Sequence, residues 1–202
     1  MGDETNKHDS HGIGTSVSWD SKIDTLLAKW CDTAKCYEWM HSESHSICQQ
    51  RSQAFLIFIN SLTAISGVAN TIVGGLTVNG IQCAWIFGGI SIFVSTLNML
   101  QDKLGYNQHA VIHTKLITQW SSIRTRIEEV LTIPYSARRD CKSVLQFLRS
   151  DIRDAEREGT GMVNKDIRDA CYTHFKHIEG FEIPDICGQI EHTKIYDDRL
   201  LP

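Results

Sequence analysis

Three histidine pairs, His41 and His45, His109 and His113, and His174 and His177, have the spacing in this chain closest to a chemical function. Separations of three or four residues put each pair on one face of a helix, where two imidazoles could share a metal ion. A structural or catalytic metal site needs a third and fourth ligand, and no HExxH or CxxC pairing supplies them. The histidines therefore read as solvated or headgroup-level side chains, with no metal and no cofactor expected. Cys31 and Cys36 stand five apart, wrong for a redox CxxC or a zinc knuckle, and read as small apolar residues. The other cysteines (Cys48, Cys83, Cys141, Cys171, Cys187) bring the total to seven, scattered and odd in number, which suits a reducing compartment. There is no GxSxG elbow, no Walker-type glycine loop, no GxGxxG after a strand and no catalytic carboxylate pair, so no catalytic residue is expected and the chain reads as a non-enzyme. From Asp151 to Glu158 the charges alternate in sign, as on a solvated helix face; a docking surface is the alternative.

The polar residues with the most informative setting carry no charge. Between Arg51 and Asp102 there is not one Asp, Glu, Lys, Arg or His over about 50 residues, more than twice the roughly 20 that cross a bilayer. Within it Gln53, Asn60, Thr63, Gly67, Asn70 and Gly74 recur at threes, fours and a seven, along one stripe of a helix. Ala84, Gly88, Ser91, Ser95 and Asn98 do the same further on. Lipid satisfies neither amides nor hydroxyls, so both stripes should face protein or water. They are packing seams, where small residues let backbones approach and Ser, Thr and Asn bond across helices, or one of them lines a wet conduit in a ring of hairpins. An uncharged lining would discriminate weakly among ions.

The elements that must hold these stripes follow from the breaks. Gly74, Gly75, Asn79 and Gly80 divide the uncharged stretch (53–101) into two spans, about 54–73 and 81–100. Arg51 and Lys103 flank the outer ends while the turn is uncharged, so both termini are expected in the cytoplasm, with Trp85 near the turn-side interface. Residues 1–17 are Ser, Gly, Asp, Thr and His without apolar period and read as disordered. They lack the basic and apolar regions of a signal peptide, and Asn6 spoils a myristoylation match, so insertion should use the internal spans. Residues 18–52 read as an amphipathic pre-membrane helix, capped at Ser21 with Asp24 at the capping-box distance and carrying Ile23, Leu27, Trp30, Ala34 and Tyr37. A cytoplasmic helical region, 102–183, should contain one helix with Ile112, Leu116, Trp120, Ile123, Ile127 and Leu131 that ends before Pro134. A second, capped by Ser136, should carry Val144, Leu145, Leu148 and Ile152, and a third Ile167, Cys171, Phe175 and Ile178, stopping at Gly180. Residues 184–202 read as an irregular tail. The fold class is an all-α membrane protein. A net charge of −4 without a polybasic run argues against nucleic acid as a partner.

This order of parts resembles the SLATT family of two-transmembrane effector domains. The resemblance rests on the pre-membrane helix, the tight uncharged hairpin, and a helix with His113, Trp120, Ile123, Ile127 and Leu131. It continues through the Pro134 break, Arg138 and Arg139, an apolar helix with Phe147 and Leu148, and Ile183-Pro184. It covers about Trp30 to Pro184. What it implies is a membrane effector that oligomerises into pores or otherwise perturbs the bilayer once an associated sensor fires. Unlike the sensor-fused members, the sequence shows no nucleotide-synthesising, nucleotide-binding or protease domain, so a trigger is expected to act from another chain or to be absent. The expected partners are the lipid bilayer, further copies of the chain, and a sensor or scaffold protein. The alternative is a non-conducting membrane anchor or scaffold, such as a structural protein of a membrane-containing virus particle; a regulatory subunit of a larger membrane complex is a third.

Overall fold

In the computed structural model residues 18–73, 75–78 and 80–188 are described. The expectations for a disordered 1–17, for Gly74 and Asn79, and for 189–202 lie outside them. The described chain is almost wholly helical. Its longest element, α1, runs unbroken from Ser21 to Val73, 53 residues and about 80 Å at 1.5 Å per residue. No proline or glycine interrupts it before Gly67, and the junction at 51–54 offers nothing that would break a helix. The pre-membrane helix and the first expected span are thus one rod. A two-residue antiparallel ladder, β1 (Thr77–Val78) with β2 (Ile81–Gln82), closes the turn by pairing Val78 with Ile81. Helix α2 (Cys83–Leu104) then returns along α1.

Gly105 separates α2 from α3 (Tyr106–Thr132) by a single residue with φ of +61°, a left-handed conformation that costs other L-residues about 1–2 kcal/mol. Its N–H donates to the Gln101 carbonyl, so the chain changes direction without losing a hydrogen bond. Helix α3 descends antiparallel to the N-terminal half of α1. Helices α4 (Cys141–Gly159) and α5 (Lys165–Phe175) pack on this pair.

Two cores result. In the larger, Leu27, Cys31 and Ala34 of α1 meet Leu116, Trp120, Ile123 and Ile127 of α3 and Leu148 and Ala155 of α4. Trp120 is fully buried and lies flat on Tyr37, ring centroids 4.4 Å apart and planes 4° from parallel. The smaller joins Cys36 and Met40 of α1 to Ile167 and Cys171 of α5 and to Cys187. Cys187 sits in a 3-10 turn, Asp185–Cys187, so the chain just past Pro184 is ordered into the core rather than irregular.

Helix starts differ in detail from expectation. Asp20, not Ser21, caps α1, its carboxylate accepting the Ile23 N–H at 2.8 Å. Asp140, not Ser136, caps α4 by accepting from the Ser143 N–H, and Ser136 falls in a 3-10 turn, Tyr135–Ala137. In both cases a carboxylate, the stronger acceptor at a helix N-terminus, takes the role. Helix α5 stops at Phe175, short of Gly180, and leaves Ile178 exposed.

Candidate functional site

The contact between α1 and α2 is a heptad seam. The least exposed residues of the upper part of α1 are Ser52, Phe55, Ile59, Leu62, Ser66 and Ala69; those of α2 are Phe87, Ile90, Val94, Leu97 and Gln101. Both sets alternate steps of three and four, as knobs-into-holes packing requires. The seam is mostly apolar. The predicted stripes are not in it.

Every stripe residue instead follows a seam residue by one position. Asn60, Thr63, Gly67 and Asn70 follow Ile59, Leu62, Ser66 and Ala69; Gly88, Ser91, Ser95 and Asn98 follow Phe87, Ile90, Val94 and Leu97, and all eight are exposed. Gly74 and the side chain of Ala84 lie outside the described residues. One position is a rotation of about 100°. Both helices are right-handed and they run in opposite directions, so the same step from the seam carries both stripes to the same side of the hairpin. The ladder at Val78 and Ile81, and Phe55 against Tyr106 at the far end (6.2 Å), set the register. It makes Asn60 about level with Asn98, Thr63 with Ser95, Gly67 with Ser91, and Asn70 with Gly88. The result is one polar face built from two helices. One residue before seam positions, on the opposite side, stand the exposed Phe58, Ile65 and Val68 of α1 and Ile86 and Phe93 of α2, interspersed with the small residues Ser61, Gly89 and Thr96. At the rear Ile92 and Trp85 are 71% and 75% exposed.

The hydroxyls of the polar face are satisfied within their own helices. Thr63 donates to the Ile59 carbonyl at 2.8 Å, Ser91 to Phe87 at 3.0 Å and Ser95 to Ser91 at 2.9 Å, the backbonding usual for hydroxyls in apolar helices. The carboxamides of Asn60, Asn70 and Asn98, and of Gln53 at the open end of the stripe, have no hydrogen-bond partner among the described residues. They are the groups that still require one.

Elsewhere the histidine pairs separate by environment. His174 and His177 are exposed on and just after α5, and His174 stacks on Trp39 at 5.0 Å. His41 and His113, expected in solvent or at headgroups, are buried against each other. Periodicity shows pairs along one helix; this contact joins different helices across 72 residues, and no local signal reveals it. The thiols of Cys36, Cys171 and Cys187 converge in the smaller core, Cys171 donating to the Cys36 carbonyl at 4.0 Å and Cys187 to the Met40 thioether at 3.9 Å. Among the described residues no group of three or more His, Cys, Asp or Glu is arranged to hold a metal ion.

Arg138 ties the lower bundle together. Its guanidinium donates to the Ile133 carbonyl at 2.7 Å, to the Leu131 carbonyl at 3.3 Å and to the Asp24 carboxylate, between the rings of Trp19 and Tyr135. It thus satisfies carbonyls at the open C-terminal end of α3. Burial would raise the Asp24 pKa, but hydrogen bonds from Arg138 and Tyr135 outweigh it and hold the carboxyl below its usual range.

Among the described residues one helix, Ser21–Ile72, is long and apolar enough to cross a membrane, with a window of mean hydropathy 1.6 that is 11% buried. No protein family's sequence model, no curated protein and no solved structure matches the chain.

Proposed function

We propose that this chain is a two-pass integral membrane protein whose hairpins gather with their polar faces inward, and that it acts as a pore-forming or membrane-perturbing effector of the SLATT kind. One observation carries the proposal: both polar stripes lie on the same side of the hairpin, and the fold uses neither. An exposed carboxamide facing hydrocarbon lacks the partner that water would provide. Those of Asn60, Asn70 and Asn98, at the two ends of one face, are best satisfied by other copies or by water held between copies. The opposite face, with Phe58, Ile65, Val68, Ile86 and Phe93, suits lipid.

Two spans, not one, are supported by the absence of any charged residue between Arg51 and Asp102 and by the return of α2 along α1. Arg51 and Lys103 at the open end favour the cytoplasmic side for that end and for the helical bundle. A ring lined by Asn, Ser and Thr would pass ions with little selectivity. The cytoplasmic bundle is then the part available to a sensor in trans.

Purified protein reconstituted into liposomes should release a small trapped dye, and Asn60→Leu with Asn70→Leu should cut the release at least tenfold at equal protein density. No release at any density, with crosslinks to a different protein rather than between copies, would replace this reading with the non-conducting scaffold.

A further inference from the structure

Between the bundle core and the hairpin, α1 and α3 meet through histidines. His41 of α1 and His113 of α3 are 0% and 3% exposed, and their Nδ1 atoms lie 3.0 Å apart. At that distance one nitrogen carries the hydrogen and the other offers a lone pair. His41 Nε2 is buried without a partner, and a Cβ added at Gly159 of α4 would meet it at 3.2 Å. Buried N–H donors are left unpaired less often than acceptors, so the arrangement assigns Nδ1–H to His41, a bare Nε2 to the same ring, and the accepting Nδ1 to His113. A further proton has no good place. On His41 Nε2 it would be a buried donor facing Gly159; on His113 Nδ1 it would set two N–H groups against each other.

We propose that the His41–His113 contact is a proton-sensitive clasp, holding α1 to α3 while both rings are neutral and releasing them when one takes a further proton. It goes beyond the pore reading and does not depend on it. Among the described residues the groups around the rings supply no bonded counter-charge for an imidazolium. From α1, Tyr37 stacks on His41 at 6.3 Å, and His45 points its Nδ1 at the Ala110 carbonyl and the Thr114 hydroxyl. From α3 come His109, of the same sign when protonated, and Lys115, already paired with Glu158. From α4, Glu156 and Glu158 precede Gly159; Glu158 is held by Lys115 and Gln119, and burial raises the Glu156 pKa. Among the described residues no carboxylate bonds either ring.

The acid–base properties agree with that geometry. Burial, and then the neighbouring His113, lower the His41 pKa from 6.5 to about 4. Burial lowers His113 too, with His109 and His45 adding to it. A pKa lower in the closed state means the open state takes up protons first. The clasp contributes fully above the open-state value of 6.5 and is lost as pH falls towards 4. From His41 alone, opening becomes about 20-fold more favourable between pH 7 and pH 5.

Hydrogen–deuterium exchange of the full chain in lipid nanodiscs, corrected for the intrinsic pH dependence of exchange, tests the clasp. Amides of 37–45 and 109–116 should open about 20-fold more at pH 5 than at pH 7, and the double variant His41→Asn, His113→Asn should lose that dependence. Unchanged exchange, or the same response in the variant, overturns the proposal. If the variant does not fold, wild-type protein carrying 15N-histidine decides: at pH 5.5 His41 should stay neutral, and a His41 already protonated at that pH overturns it. Neither readout involves flux, so a chain that releases no dye would leave both outcomes unchanged.

Discussion

Arg138 shows how much can hang on one side chain. Its guanidinium is 4% exposed and meets two backbone carbonyls, one carboxylate and two aromatic rings. Arg138→Ala leaves those carbonyls and Asp24 short of donors and should destabilise the bundle by about 2–4 kcal/mol, measured by denaturant titration of the tryptophan fluorescence. Arg138→Lys should recover less than half, because a point ammonium cannot span the fork. The Asp24 link also has a pH signature: its folded pKa is depressed, so its contribution is complete above the unfolded value of about 3.8 and fades as acid protonates it. Asp24→Asn should flatten that acid limb of the stability curve. Trp120→Ala, which empties the centre of the larger core, should cost about 3–5 kcal/mol in the same assay. Trp120 was legible in the sequence, as a member of an apolar run at helical spacing. The partnership of Arg138 with Asp24, across 114 residues, and that of His41 with His113 were not, because a spacing rule sees neighbours on one helix and neither pair shares one.

At the scale of elements the sequence gives the stripes but not where they face. An uncharged run with Gly and Asn at its middle and Pro134 were enough to place the turn, α2 and the end of α3 within a few residues. By contrast, α1 runs unbroken through the expected boundary at 52–54, and the start of α4 and the end of α5 each lie about five residues from the expected Ser136 and Gly180. The stripe of Asn60, Thr63, Gly67 and Asn70 was equally visible. What decides its role is a one-residue offset from the seam, and periodicity alone cannot tell a seam from the row beside it; that depends on which row the partner helix chooses. The choice has a physical reason, since Phe55, Ile59, Leu62 against Phe87, Ile90, Val94 and Leu97 offer larger apolar knobs than the Gly and Ser row. If the polar face is where copies meet, then Ser91→Cys and Thr63→Cys should form intermolecular disulfides in reconstituted membranes at several times the yield of Phe93→Cys on the opposite side, read on a non-reducing gel. Gly105→Ala strains the one residue at which α2 becomes α3 and should cost about 1–2 kcal/mol in thermal stability without altering helix content.

For the whole molecule, the proposed topology makes a simple prediction. A membrane-impermeant thiol reagent applied to sealed, inside-in cells should label Thr77→Cys at the turn, whereas Phe147→Cys on α4 should react only after permeabilisation. The reverse pattern would invert the protein. Either way, α1 runs from the lower bundle to the turn with no proline, no left-handed residue and no break between its two halves. Such an element cannot relay a signal by bending at a hinge. It can pass on torque: if a cytoplasmic partner twists the lower end of α1, the upper end turns with it, as a spindle turns a valve. A twist of about 100°, one residue of helix, replaces the Asn60 and Asn70 row with the apolar seam row of Ile59, Leu62 and Ala69. Wetting of the assembled face would then be set from some tens of ångströms away by the angle of a single shaft.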